Sequence, residues 1–212
     1  MSPADTNREL VEIFTAKATA VNSVVQEVPS LEAALQYVVD VCESKLPAEI
    51  LADEPDAEQG PPGPNNMPTR VKRIVAAPDL PENEFSSLAQ LCAAKGFACV
   101  RDGLRKHLAG IDVGVSCADF AVAASGTCSV NTDCEQTRLA GMISEVSVIF
   151  LHKSKIYPDL PSIAQLLRQR MGESPATFTT FISGPSRTAD IERVAAVGVH
   201  GPLEQHIILL ED

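Results

Sequence analysis

The chain has 212 residues and a formal net charge of −11 at pH 7, and hydrophobic residues occupy 45% of its positions. It contains no tryptophan and few aromatic residues, so the core of one ordinary domain must be largely aliphatic. The strong negative charge argues against binding to nucleic acid or to an anionic membrane, because phosphate groups would be repelled. We therefore expect no nucleic-acid partner.

We expect no targeting segment at the start of the chain. Met1 is followed by polar residues, and no apolar run reaches the roughly 18 residues that a membrane span requires. We expect no secretory signal, no membrane span and a cytoplasmic location. The six cysteines of such a chain are expected to be reduced thiols.

The cysteine spacing matches no metal or iron–sulfur motif. The closest pairs are Cys128 with Cys134 and Cys92 with Cys99, whereas ferredoxin-type clusters need short, repeated spacings. We expect no metal on this chain. If electrons are transferred around this protein, another chain is expected to carry them.

Two amphipathic segments lie at the front of the chain. Residues 7–28 place apolar side chains three and four positions apart, which predicts a helix. Pro29 and Ser30 end it, and Ser30 can cap a second helix that begins at Leu31. The sequence thus predicts an N-terminal helical hairpin over residues 1–50, which either packs on its own domain or serves as a docking arm.

Residues 51–70 are rich in proline, glycine, asparagine and acidic residues and show no apolar periodicity. Such a composition cannot bury enough apolar surface to order itself. We predict a flexible loop, either a lid or a disordered connector.

Short apolar runs alternate with helical patterns over residues 71–212, which is typical of an α/β domain. The predicted strands are 70–77, 97–100, two or three within 111–130, 145–151, 176–183 and 204–210, and the predicted helices are 84–95, 104–108, 135–142 and 162–171. The apolar runs at 146–151 and 206–210 are nearly continuous, which favours strands that are buried on both faces. We expect a doubly wound α/β sheet with helices on both sides.

A glycine–proline turn at Gly184 and Pro185 follows one predicted strand and leads into polar residues. Ligands of α/β sheets bind beyond the carboxyl ends of strands, and a turn there can present backbone N–H groups, hydroxyls and a guanidinium to an anion. The ligand-binding candidates are Ser183, Gly184, Ser186, Arg187 and Thr188. Alternatively, Arg187 pairs with Asp190 or Glu192, and the hydroxyls cap the turn.

Titratable candidates lie near this turn and upstream of it. His200 precedes the last predicted strand, while His152 ends an earlier strand and competes with it as a site residue. Asp119 precedes an apolar strand, and Gly126 and Thr127, which are two further ligand-binding candidates, lie in the next turn. A carboxylate with neighbouring hydroxyls can act as a base, although an aspartate at such a position is commonly a turn or cap residue. The patterns of serine hydrolases and zinc proteases are absent from the sequence.

Five stretches carry a resemblance to a known family. The segments 180–192, 198–210, 118–127, 138–142 and 156–163 resemble the LUD-domain family, of the lactate utilization protein C (LutC) type. The resemblance covers roughly residues 70–212. It implies a fold like that of the NagB/RpiA/CoA-transferase group, with its sheet flanked by helices.

The resemblance also implies partners and site residues. Proteins of this type work in a cytosolic system that oxidises L-lactate to pyruvate with iron–sulfur partner proteins, LutA-like and LutB-like, which would carry the clusters. A small anionic ligand is expected on this chain. The motif positions that carry over are Asp119, Gly126, Thr127, Gly184, Pro185, Ser186, Arg187, Thr188, Asp190, Glu192, His200, Gly201 and Pro202.

One departure from the family pattern limits the chemistry. Ala124 stands where the family commonly has glutamate, so an acyl transfer in which that carboxylate is the nucleophile is disfavoured. We expect His200, Asp190 and Asp119 as the catalytic candidates of a subunit rather than of a complete enzyme. The alternatives are a standalone enzyme on small phosphorylated or CoA-linked substrates, and a non-catalytic adaptor.

Overall fold

A computed structural model describes residues 3–173, 177–188, 196–197 and 201–211. The helices of this part of the chain are α1 (Pro3–Ala20), α2 (Leu31–Ser44), α3 (Glu82–Ala94), α4 (Glu135–Ile143) and α5 (Ala164–Glu173). The strands are β1 (Ser23–Glu27), β2 (Gln59–Pro62), β3 (Pro68–Arg70), β4 (Ile74–Ala76), β5 (Ala98–Val100), β6 (Ile111–Val122), β7 (Thr127–Asn131), β8 (Ser144–His152), β9 (Ile156–Tyr157), β10 (Thr179–Ile182), β11 (Arg187–Thr188), β12 (Ala196–Val197) and β13 (Glu204–Leu210).

A parallel sheet forms the centre of the molecule. Its strands lie in the order β1, β13, β8, β6, β4, β5, and every neighbouring pair in this order is parallel. The long strand β6 continues past the sheet, where it pairs antiparallel with β7, which in turn pairs antiparallel with β10. The predicted α/β architecture with a mostly parallel sheet is confirmed.

The two faces of the sheet are covered by different helices. Ile208 and Leu210 of β13 pack in one buried cluster with α2 and α3. Ile207 and Leu209, which point the other way because strand side chains alternate, pack in a second cluster with α1. The central strands are therefore buried on both faces, as their apolar runs predict.

The N-terminal helices do not form the predicted hairpin. Helix α1 ends at Ala20, and residues 23–27 form β1, which pairs in parallel with β13 at the edge of the sheet. Asn22 adopts a φ of 69°, a left-handed conformation that asparagine tolerates and that ends the helix. The apolar spacing around Val25 fits a helix, but the β-branched residues there form backbone hydrogen bonds with β13 instead. Helices α1 and α2 consequently lie on opposite faces of one sheet.

The segment 51–70 contains regular structure. Strands β2 and β3 pair in an antiparallel ribbon within the predicted loop. Arg70 donates a hydrogen bond of 2.8 Å from Nη1 to Glu54 Oε1, and its Nε donates to the carbonyl of Gly110. Buried polar contacts thus hold the segment 51–70 near both of its ends. Whether it acts as a lid or as a disordered connector stays a prediction.

Two structural features are absent from the described residues. None of their helices combines the length and the apolar character needed to cross a membrane. They also contain no group of three or more His, Cys, Asp or Glu side chains placed to hold a metal ion.

Candidate functional site

A cavity of about 200 Å³ lies beneath the Gly184–Pro185 turn, and we call it the turn cavity. It is bounded by the central sheet, by α4 and by the antiparallel extension of β7 and β10. The described residues that line it are Ser116, Val130, Thr132, Thr137, Arg138, Gly141, Met142, Ser147, Thr180, Ile182, Gly184, Pro185, Pro202 and Gln205.

Polar side chains of neighbouring strands lie side by side at the floor of the turn cavity, which Gln205 and Ser147 line. Gln205 of β13 stands opposite Ser147 of β8 on one side and Ser23 of β1 on the other. Further along the same strands and the same face, Ile149 and Ile207 belong to the cluster beneath α1. The alternation of strand side chains therefore leaves a polar strip on this face, beside the apolar surface that α1 covers.

Gln205 is the most deeply buried polar group of the cavity, with 1% of its surface exposed. Its Oε1 accepts a hydrogen bond of 2.6 Å from Ser23 Oγ, which fixes the amide in position. Its Nε2 has no hydrogen-bond partner among the described residues. A buried N–H group without an acceptor is rare in folded proteins and costs about 1–3 kcal/mol.

Arg138 supplies the charge of the turn cavity. Its guanidinium lies over the ring of Phe178, 5.3 Å from the ring centroid, and its Nη1 donates to the carbonyls of Thr132 and Asp133. It is the only charged side chain among the described residues that line the cavity. The electrostatics of the cavity therefore favour an anion over a cation.

The turn itself requires glycine at position 184. Gly184 has a φ of 82°, and a side-chain carbon there would lie 2.3 Å from the carbonyl oxygen of Val21. Gly126 is in a similar position, since its φ is 64° and an added carbon would lie 2.3 Å from the backbone nitrogen of Ala18. Both turns pack tightly against the carboxyl end of α1, which explains their glycines.

The structure brings four of the predicted ligand-binding residues together. Thr127 Oγ1 lies 2.8 Å from Ser183 Oγ and 2.6 Å from Ser125 Oγ, next to Gly126 and Gly184. Of these residues, only Gly184 lines the turn cavity. The paired hydroxyls support the alternative that they stabilise the turn.

The remaining predicted residues of the turn are only partly described. The backbone N–H of Ser186 donates to the carbonyl of Pro202. Arg187 and Thr188 form β11, which pairs with β12, but their side chains lie outside the description. Asp190, Glu192 and His200 lie outside the described residues, so their roles stay predictions.

Asp119 lies apart from the turn cavity. Its carboxylate is 3.3 Å from Arg170 Nη1, and Arg170 also approaches Asp133 at 3.4 Å. Burial raises the pKa of Asp119, while the nearby Arg170 guanidinium opposes this effect. Its catalytic role stays a prediction, and the structure does not place it against the Gly184 turn.

A second cavity, of about 410 Å³, lies at the carboxyl ends of the parallel strands. Among the residues that line it are Ser30, Cys117, His152 and Lys155. Burial raises the pKa of Cys117 to about 12, so its thiol is protonated at neutral pH. Open α/β sheets commonly bind ligands at this edge.

The sequence places the Gly184 turn at that edge, and the structure corrects this. The turn follows β10, which pairs antiparallel with β7 and does not belong to the parallel sheet. The rule that ligands bind beyond the carboxyl ends of parallel strands therefore does not apply to it. His152, in contrast, does lie at the carboxyl edge, and its Nδ1 is 3.1 Å from the carbonyl oxygen of Glu211.

Sequence reasoning missed Gln205, Ser147 and Arg138 as cavity residues. One signal was present, because Gln205 and Ser147 are polar residues inside strands that otherwise read as buried on both faces. A polar side chain in such a strand must find a partner or a cavity. Arg138 had a different signal, because it begins the segment 138–142 that carries the family resemblance, although an arginine on a short helix is usually exposed.

The fold and the cavity together define an open α/β protein with a small, largely apolar pocket on one face of its sheet, to which Arg138 and Gln205 contribute hydrogen-bond donors. The LUD domain model matches residues 11–210, so the chain belongs to the LUD domain family. The match includes α1 from Val11 onward and all of α2.

Curated relatives match about half of the chain. The Escherichia coli K12 protein YkgG is 37% identical over 102 residues, which cover 47% of this chain and 44% of that protein. Lactate utilization protein C 1 of Bacillus mycoides is 33% identical over 109 residues, covering 50% and 47%. Lactate utilization protein C of Bacillus subtilis is 30% identical over 103 residues, covering 48% and 43%. The aligned region thus spans less than half the length of these relatives.

One solved structure supports the fold. A DUF162 family protein from Deinococcus radiodurans superposes with a TM-score of 0.55, covering 96% of this chain and 97% of that one. The two sequences are 13% identical, so the likeness concerns the fold alone.

Proposed function

We propose that this protein is a cytoplasmic component of a system that oxidises L-lactate to pyruvate. The observation that carries the proposal is the LUD domain match over residues 11–210 together with relatives named lactate utilization protein C. The fold supports a binding role, because its cavity carries one cation and several hydrogen-bond donors.

The electrons of this oxidation are assigned to partner proteins of the LutA-like and LutB-like types. The cysteines of this chain lack the spacing of a cluster-binding motif, so its own contribution is to bind and orient a ligand. Burial raises the pKa of Cys42 and of Cys128 to about 12, so these two thiols are protonated at neutral pH.

The proposed ligand is a small anion in the turn cavity. Arg187 follows Pro185 by two residues and His200 precedes Pro202 by two residues, and both prolines line the cavity. We assign Arg187 to pairing with a carboxylate and His200 to accepting a hydroxyl proton. Asp190 is assigned to orienting one of these two side chains, and Asp119 is kept as a more distant candidate.

The test is purification of the tagged protein from its native cytoplasm without oxygen, followed by identification of partners and a dye-reduction assay with L-lactate. The expected result is co-purification of iron–sulfur proteins and L-lactate-dependent dye reduction. The activity should fall at least tenfold when His200→Gln replaces the native chain. A chain that purifies without such partners, and whose removal leaves lactate oxidation unchanged, would contradict the proposal.

A second candidate is a standalone enzyme on small phosphorylated or CoA-linked substrates. The cavity at the carboxyl edge of the sheet favours it, since Lys155 lies beside it and its volume is about twice that of the turn cavity. Turnover by the isolated protein, lost in Lys155→Met and kept in His200→Gln, would favour this candidate over the first.

A further inference from the structure

The side-chain amide of Gln205 is fixed in position at the turn cavity, and its nitrogen is free to donate a hydrogen bond to a ligand there. Ser23 fixes its oxygen, and its nitrogen carries N–H groups that no described residue accepts, in a side chain that is 1% exposed. An apolar residue of similar volume would fill this position without an unpaired donor. The bond from Ser23 accounts for the amide oxygen, whereas the Nε2 hydrogens still need an acceptor, which a molecule in the cavity would supply.

The size of the cavity limits what this can be. An engineered apolar cavity of about 150 Å³ binds benzene, a single six-membered ring. The turn cavity, at about 200 Å³, therefore suits an organic molecule only slightly larger. A nucleotide or a coenzyme would not fit within it.

The lining defines the chemistry of the ligand. Arg138 and Gln205 are donors on different walls, α4 and the sheet, so they suit a ligand with two separate acceptor groups. No carboxylate belongs to the described residues of the lining, and Val130 and Ile182 provide apolar contact for a short carbon chain. A carboxylate with a second oxygen nearby satisfies all of these features.

We infer that Gln205 is a specificity-determining residue that donates a hydrogen bond from Nε2 to the second oxygen of a short-chain 2-hydroxy or 2-oxo monocarboxylate in the turn cavity. The inference rests on the proposed function for the assignment of the cavity as an anion site. Beyond the proposed function, it identifies Gln205 as the residue that distinguishes such acids from the carboxylic acid of the same chain length that lacks the oxygen on carbon 2.

Calorimetric titration of the full chain with L-lactate, pyruvate and propionate tests the inference. Propionate lacks the second oxygen, so we expect it to bind at least tenfold more weakly than the better of the other two acids. In Gln205→Met this difference should disappear while propionate affinity is kept. The matched control is Gln26→Met, because Gln26 is exposed on the neighbouring strand β1. This control should bind all three acids like the native chain.

A direct readout avoids dependence on a variant that fails to fold. The side-chain amide resonances of Gln205 in the native chain, assigned by nitrogen-15 NMR, should shift on titration with the 2-oxygenated acid and shift less with propionate. Equal affinity for propionate, unchanged discrimination in Gln205→Met, or amide resonances that do not move would overturn the inference and assign the amide to a bound water instead.

Different results would contradict the proposed lactate-oxidation system and the proposed role of Gln205. Tight, Gln205-dependent binding without iron–sulfur partners would keep the inference and remove the proposed system. Partners and lactate oxidation that are unaffected by Gln205→Met would keep the system and remove the inference.

Discussion

A side-chain carbon on Gly184 would lie 2.3 Å from the carbonyl oxygen of Val21. The turn that closes the cavity is thus packed directly against the backbone that follows α1. Gly184→Ala should lower the free energy of unfolding by about 2–4 kcal/mol, since it combines a left-handed φ with a backbone clash. Urea denaturation measures this change.

The control for Gly184 is Gly96→Ala. Gly96 has a φ of 77° but nothing within 4 Å of an added carbon, so only the conformational cost of about 1 kcal/mol applies. Equal losses in the two variants would show that the contact with Val21 does not limit the turn.

Phe14 anchors α1 to the central sheet. It is fully buried in the cluster with Ile207 and Leu209, whereas its neighbour Ile13 is 38% exposed. Phe14→Ala should cost about 3–5 kcal/mol of global stability, and Ile13→Ala less than about 1 kcal/mol. Amide hydrogen exchange of β13, measured alongside denaturation, checks that the whole sheet is affected. Unchanged exchange in β13 would instead mean that α1 is a separable arm.

Glu54 ties the segment 51–70 to Arg70, and the pair should give stability a pH dependence. The hydrogen bond from Arg70 holds the pKa of Glu54 below its ordinary value of 4.5. Because the folded pKa is depressed, this contribution to stability is present above pH 4.5 and is lost as the pH falls through the lowered value.

Glu54→Gln removes this contribution. It should lower stability by about 2 kcal/mol at pH 7 and speed hydrogen exchange in residues 51–70, because Arg70 is left buried without its charged partner. The control is Asp53→Asn, whose side chain is exposed. A variant that loses as much stability at pH 3 as at pH 7 would contradict the assigned pKa direction.

The cysteines should differ sharply in their reaction with iodoacetamide at pH 8. Cys134 is exposed, whereas Cys42 and Cys128 are buried thiols with a pKa raised to about 12 by burial. Since the thiolate is the reactive form, Cys134 should be labelled at least tenfold faster than the buried pair. Peptide mass spectrometry identifies the labelled positions, and Cys134→Ser should remove the fast label at position 134 while labelling of Cys42 and Cys128 stays slow. Fast labelling of Cys128 would contradict the packing of β7.

Much of the fold was predictable from local patterns. Helix α3, strand β8 and strand β13 lie within a few residues of their predicted positions, because the helix shows a clear apolar periodicity and the two strands are nearly continuous apolar runs. The segment 23–27 was not predictable in this way. Its apolar spacing suits a helix as well as a strand, and the pairing partner that decides between them, β13, lies almost two hundred residues away in the chain.

The candidate site was predictable in part. The sequence identified Gly184 through its dipeptide with Pro185, and the φ of 82° explains why glycine occurs there. It did not identify Gln205, because the importance of that amide depends on which strands flank β13 and on what covers them. The sequence also could not show that Asp119 lies away from the Gly184 turn, because both are polar positions next to apolar runs and no local pattern gives the distance between them.

The sequence by itself determined the alternation of helices and strands, the burial of the central strands on both faces and the turn at Gly184. These follow from side-chain periodicity and backbone preference, which act over a few residues. Only the tertiary structure decided that β1 joins the sheet, that α1 and α2 cover opposite faces, and that Gln205 and Arg138 face one cavity. Those outcomes depend on contacts between residues that are far apart in the chain, and local preferences cannot encode which distant partner a strand or a side chain will meet.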